Sequence, residues 1–103
     1  MKFLRVLKNN NQISSETVKQ AFYPEHISNF SIKTVFNGNT SYNIGRRKLN
    51  LFPDCFLAIN KGTSYSSKVD SYIPVNNLSI SFSPSFLSDF FRSNHKNQKE
   101  LLD

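Results

Sequence analysis

Histidine and cysteine are nearly missing from this sequence, and no apolar run is long enough to cross a bilayer. Two histidines, His26 and His95, stand far apart with no His-x-His pair, and no acidic residue falls on a strand face expected to point inward. Metal binding needs several such groups converging on one point, so neither a metal nor another cofactor is expected. The single Cys55 cannot form an internal disulfide. It lies beside an apolar segment, where a thiol behaves as a small hydrophobe rather than a nucleophile. No serine sits in a nucleophile-elbow context, and Asp54, Asp70 and Asp89 fall at turns or on a helix surface. A non-catalytic chain is expected. The N-terminal MKFLRVLK is interrupted by Arg5 and Lys8 before a signal-peptide core develops. With a spanning helix needing about 20 apolar residues, the expected location is the cytoplasm, away from any membrane.

What is present points to a small β protein. A length of 103 residues suits one domain, and a hydrophobic fraction of 38% fits a thin barrel or sandwich better than a thick layered fold. Ten phenylalanines and four tyrosines supply large side chains for a small core. The net charge of +6 is spread along the chain, and its one tight cluster, Arg46-Arg47-Lys48, reads as a solvated hairpin.

Along the chain, residues 1–29 read as a leader, with a short helix from Ser14-Ser15-Glu16 carrying Val18, Ala21 and Phe22 and stopped by Pro24. Residues 30–83 read as the barrel core. Phe30, Ile32, Thr34 and Phe36 alternate on one face, and Asn37-Gly38-Asn39 offers a hairpin turn into a return strand, Thr40 to Ile44. Gly45-Arg46 makes the next turn, and Leu49 and Leu51 point inward from the following strand. Cys55 to Ile59 is apolar on both faces and reads as the most buried strand. Asn60-Lys61-Gly62 turns again, and Pro74 forbids a regular central-strand position. In the last strand, Leu78, Ile80 and Phe82 alternate with Ser79, Ser81 and Ser83, which places the apolar set inside and the serines in solvent. Ser83 is positioned to cap a helix with Pro84 in its first turn. Residues 84–103 form a closing helix and a tail. Phe86, Leu87, Phe90 and Phe91 make a wide apolar stripe on that helix, suited to closing the barrel or meeting another molecule.

A strand running into Asn60-x-Gly62, then Tyr65-Ser66, then an alternating strand into Phe82-Ser83-Pro84-x-Phe86 resembles the N-terminal sensor domain of AraC-family transcription regulators. The resemblance covers roughly Ser31 to Arg92 and implies a mainly β, small cupin-like barrel, or double-stranded β-helix, with a C-terminal helix. It implies an effector-sensing or dimerisation domain of a DNA-binding regulator, working as a homodimer. The helix-turn-helix part would then follow Asp103, and DNA would be met only through it. The early histidine-rich strand of many such sensors is absent here.

For a sensor, the ligand site would be the barrel cavity, apolar with a few placed polar groups. Thr34, Tyr42 and Tyr65 are the polar-tipped residues on the faces expected inside, with Phe36 and Phe56 as walls. The rival reading is a small basic β-barrel that stacks single-stranded nucleic acid on Tyr42, Tyr65 and Tyr72.

Overall fold

The computed structural model describes residues 2–7, 10–88 and 92. Seven strands follow one another: β1 (Lys2–Val6), β2 (Gln12–Ile27), β3 (Ser31–Asn37), β4 (Thr40–Ile44), β5 (Arg47–Leu51), β6 (Phe56–Ile59) and β7 (Ser64–Ser81). A helical turn, α1, covers 84–88. All strand pairings are antiparallel, in the order β1-β2-β7-β3-β6, with β4 joining β7 and β5 joining β4.

The 18-residue β7 organises the molecule. Its one edge carries β2 along its whole length, and its other edge carries β3 and then β4. Pairing with β2 passes from Val18↔Val75 directly to Gln20↔Asp70, so residues 71–74 are surplus on the β7 side. Such an insertion bends a strand and increases its twist. Pro74, which has no N–H to give a ladder, falls in this interruption, as does Pro24 in the second slip between Tyr23 and His26. The bend divides the sheet into two parts. In one, β1, the first half of β2, the end of β7, β3 and β6 lie side by side; in the other, the rest of β2, the start of β7, β4 and β5 do.

Three sequence expectations are corrected here. Ser14 to Phe22 is strand, not helix, because Glu16 pairs with Lys2 on one side and Asn77 on the other. A local helix-start signal yields to two ladders of backbone hydrogen bonds. Gly38 does not close a hairpin: β3 and β4 follow each other along the same edge of β7. Glycine is nonetheless required there, since φ is 80° and a Cβ would lie 2.7 Å from Val75 Cγ2. Finally, β6 is an edge strand and not the most buried one. Cys55 is exposed and Phe56 is 72% exposed, because nothing among the described residues covers the outer face of β6.

The largest difference concerns the direction of the side chains. Val35, Tyr42, Leu51, Ile59, Tyr65, Val69 and Val75 form the buried core. Val75 shares its face with Asn77, Ser79 and Ser81, and Val35 shares its face with Ser31 and Lys33, by the two-residue strand period. In register across five strands, Leu4, Ser14, Ser79, Lys33 and Leu57 therefore face inward. Arg5, Ile13, Ile80, Ile32 and Ala58 face outward in the adjacent row. The expected alternation of the last strand is real, but its sign is reversed. Phe82, on the outer side, meets Phe30 at 5.9 Å between ring centroids and stacks on Phe86 of α1 at 5.6 Å.

The N-terminus of α1 is capped as its sequence indicates. Ser83 Oγ accepts from the Phe86 N–H at 3.2 Å, and Leu87 N–H donates to the Ser83 carbonyl at 3.1 Å. The buried Asn11 holds this corner, its Oδ1 accepting from Ser83 N–H at 2.7 Å. Phe86 and Leu87 are half-buried, while Phe90 and Phe91 lie outside the described residues.

Candidate functional site

The inward row of short polar side chains has a direct consequence: serine cannot fill the space that leucine or isoleucine would. A cavity of about 300 Å³ remains between the sheet parts. Its walls combine Tyr42, Tyr65, Val69 and Leu4 with Glu16, Lys33, Thr40, Asn77 and the hydroxyls of Ser14, Ser67, Ser79 and Ser81. A few placed polar groups against aromatic and aliphatic walls are the usual make-up of a small-molecule site, here at the low end of the size range.

Hydrogen bonds fix most of these groups. Tyr23 donates its hydroxyl to Glu16 Oε2, and Lys2 Nζ stands over the Tyr23 ring, 5.2 Å from its centroid. Thr40 Oγ1 donates to Asn77 Oδ1, joining β4 to β7 beneath the cavity. Lys33 Nζ donates to Ser79 Oγ at 2.7 Å and lies 5.5 Å from the centre of the Tyr65 ring. Tyr65 in turn stands 4.4 Å from the His26 ring and 6.2 Å from Tyr42, with its hydroxyl 3.4 Å from Ser28 Oγ. Ser31, fully buried one pleat from Lys33, has no partner for its hydroxyl among the described residues. Burial pushes the Tyr42 hydroxyl well above its usual 10.0, with the neighbouring Tyr65 adding to the effect. Tyr23 is pushed up to about 12, first by burial and then by its bond to Glu16 and that carboxylate's charge.

Of the five residues the sequence offered as a pocket, the structure brings Tyr42 and Tyr65 to the cavity. Thr34, Phe36 and Phe56 do not reach it. Thr34 faces outward with Oγ1 donating to the Cys55 carbonyl at 3.4 Å, and Phe36 and Phe56 are exposed. Thr34 and Phe36 were placed by taking the apolar side of β3 as the inner one, and Phe56 by reading an edge strand as buried on both faces. Reading parity from Val35 rather than Phe36 would have found Lys33, and reading it from Val75 would have found Ser79.

No protein-family profile matches the chain, and no curated protein sequence does either. Solved structures do. A cupin-superfamily protein from Desulfitobacterium hafniense superposes with a TM-score of 0.69 at 13% identity, over 80% of this chain and 75% of its own. This chain has the cupin fold. The cupin_2 domain of an XRE-family transcriptional regulator from Enterobacter cloacae is similar at a TM-score of 0.65 and 16% identity, covering 81% of this chain and 97% of that one. The DMSP lyase of Ruegeria pomeroyi is similar at 0.66 and 12% identity, over 82% of this chain and 47% of that one.

The lyase corrects the expectation of a non-catalytic chain. This cupin fold is shared with an enzyme, so a barrel without an obvious nucleophile does not argue against catalysis. The ligands of a cupin metal site, however, do not fit the residues of this cavity. It offers one imidazole, His26, whose Nδ1 lies 2.9 Å from the Pro24 carbonyl, and one carboxylate, Glu16, already bonded to Tyr23. Among the described residues no three His, Cys, Asp or Glu side chains gather closely enough to hold a metal ion. None of the described helices is long and apolar enough to cross a membrane.

Proposed function

We propose that this cupin domain senses a small molecule in its interior cavity, as the effector-binding part of an AraC-type transcription regulator. The observation that carries this reading is the cavity itself. Strands β1, β2, β3, β4 and β7 surround a half-open space of about 300 Å³ lined by tyrosines and by side chains able to hydrogen-bond a guest. A regulator's cupin domain among the similar structures supports a regulatory setting. The Asn60-x-Gly62 and Phe82-Ser83-Pro84-x-Phe86 order supports the AraC type. In this reading a bound effector favours one of two arrangements of a homodimer, and helix-turn-helix units C-terminal to the barrel carry that bias to DNA. An effector achieves this only through different affinities for the two arrangements.

A thermal-shift screen of the chain against a metabolite library tests the sensing role. A saturable rise in midpoint is expected, and Ser67→Leu, which fills the cavity, should abolish it. A rise that persists in Ser67→Leu, or no rise with any compound, contradicts the reading. Sequence beyond Asp103 without helix-turn-helix units would contradict the AraC assignment alone.

A further inference from the structure

Among the described residues, the cavity lining carries two ammonium groups, Lys2 and Lys33, against one carboxylate, Glu16. Glu16 has a cation at hand: Lys2 is its register partner on β1, and the Lys2 ammonium stands over the same Tyr23 ring whose hydroxyl bonds Glu16. Lys33 has no such counterpart. Among the described residues its partners are the neutral Ser79 hydroxyl and the Tyr65 ring face. A partly buried ammonium held on a neutral hydroxyl and a ring has given up some water without gaining an opposite charge.

The surroundings of Lys33 are also a donor-rich floor. Ser14 and Ser79 lie in its register row, and Ser81 pairs with the unpartnered Ser31 one pleat away. Hydroxyls can donate to an acceptor, and an acceptor beside an ammonium gains charge-assisted hydrogen bonds of roughly twice ordinary strength. Tyr42, Tyr65 and Leu4 form a hydrophobic side for the remainder of a guest.

We infer, building on the sensing reading, that the cavity takes a small organic monoanion, a carboxylate whose oxygens pair with Lys33 Nζ and the Ser79 hydroxyl and whose body lies against Tyr42 and Tyr65. One unmatched positive charge sets one negative charge on the ligand. A dianion such as a phosphate monoester would bring a second charge for which the lining offers no second free cation beside Lys33. The Ser79 hydroxyl, now an acceptor from Lys33, rotates to donate to the incoming carboxylate, so the site is built before the ligand arrives.

The test uses 4-hydroxybenzoate as the anionic probe, 4-hydroxybenzamide as its neutral counterpart and inorganic phosphate as the dianion-rich control. Binding is followed by calorimetry and by amide NMR. The carboxylate should bind saturably and shift the amides of Lys33, Ser79 and Tyr65, with the amide and phosphate at least about tenfold weaker, as expected for the loss of a charged hydrogen bond. Lys33→Met should weaken the carboxylate by about the same factor, and Lys33→Arg should retain it. Because Lys33→Met could disturb folding, the wild-type comparison of carboxylate with amide stands independently of any variant. Equal binding of the neutral amide, unchanged affinity in Lys33→Met, or tighter phosphate binding overturns the monoanion inference and leaves the sensing role standing. Absence of binding by the carboxylate also overturns it. The sensing role then falls only if the metabolite screen fails as well.

Discussion

Thr34 and Val35 are neighbours in sequence with opposite fates, and they state the register of the barrel at single-residue resolution. Val35 is 1% exposed, while Thr34 points outward. Val35→Asp should prevent folding, since an unpaired buried carboxylate costs several kcal/mol of a total stability of about 5–15 kcal/mol. Thr34→Asp loses only the hydrogen bond to the Cys55 carbonyl and should lower the unfolding free energy read from urea titration by no more than about 1–2 kcal/mol. Equal midpoints would show the strand to be turned over. The tyrosines give a pH test. A tyrosine whose pKa is raised on folding stabilises the fold fully below the unfolded value of 10.0, and this stability is lost as pH rises from there through the folded value. For Tyr23 the window is pH 10 to about 12, and the more buried Tyr42 acts in the same direction from pH 10 upward. Tyr42→Phe should therefore lose less stability than wild type between pH 9 and pH 11 in urea titrations. A parallel loss in both proteins would show that Tyr42 does not feel its burial.

At the scale of elements, the corners govern how the strands meet. Gly38→Ala combines an unfavourable φ of 80° with a methyl placed 2.7 Å from Val75 Cγ2, and Val75 is completely buried. A loss of about 1–3 kcal/mol is expected by chemical denaturation. Asn11→Ala leaves the buried Ser83 N–H without its acceptor and should cost about 1–3 kcal/mol, together with reduced hydrogen-exchange protection at Ser83. The turns were the part of the fold most readable from sequence. Gly45 and Gly62 have positive φ at the predicted turns, and Ser83-Pro84 starts the helix as its cap chemistry dictates. What the turn residues could not convey was pairing. Gly38 is compatible with a hairpin and with a corner, and only the long partner β7 decides between them. Ser14-Ser15-Glu16 likewise carries a sound helix-start signal, overridden by strands distant in sequence.

For the whole molecule, period-two alternation revealed which residues share a face but not which face is inside. In a filled core the apolar side would be the inner one. This barrel instead turns Ser79 and Ser81 inward and Ile80 outward, so a rule that suits a packed sheet misplaces Thr34 and Phe36 while keeping Tyr42 and Tyr65. The polar interior is therefore at once the reason the site was partly hidden and the reason a cavity exists. The most direct measurement is an amide NMR titration of the wild-type chain with a compound selected by the metabolite screen. Saturable shifts centred on Tyr42, Tyr65, Ser67 and Ser79 are expected, with the outward Ile32, Phe56 and Ile80 unaffected. Shifts centred on the outward three, with the inward row silent, would contradict an interior binding site.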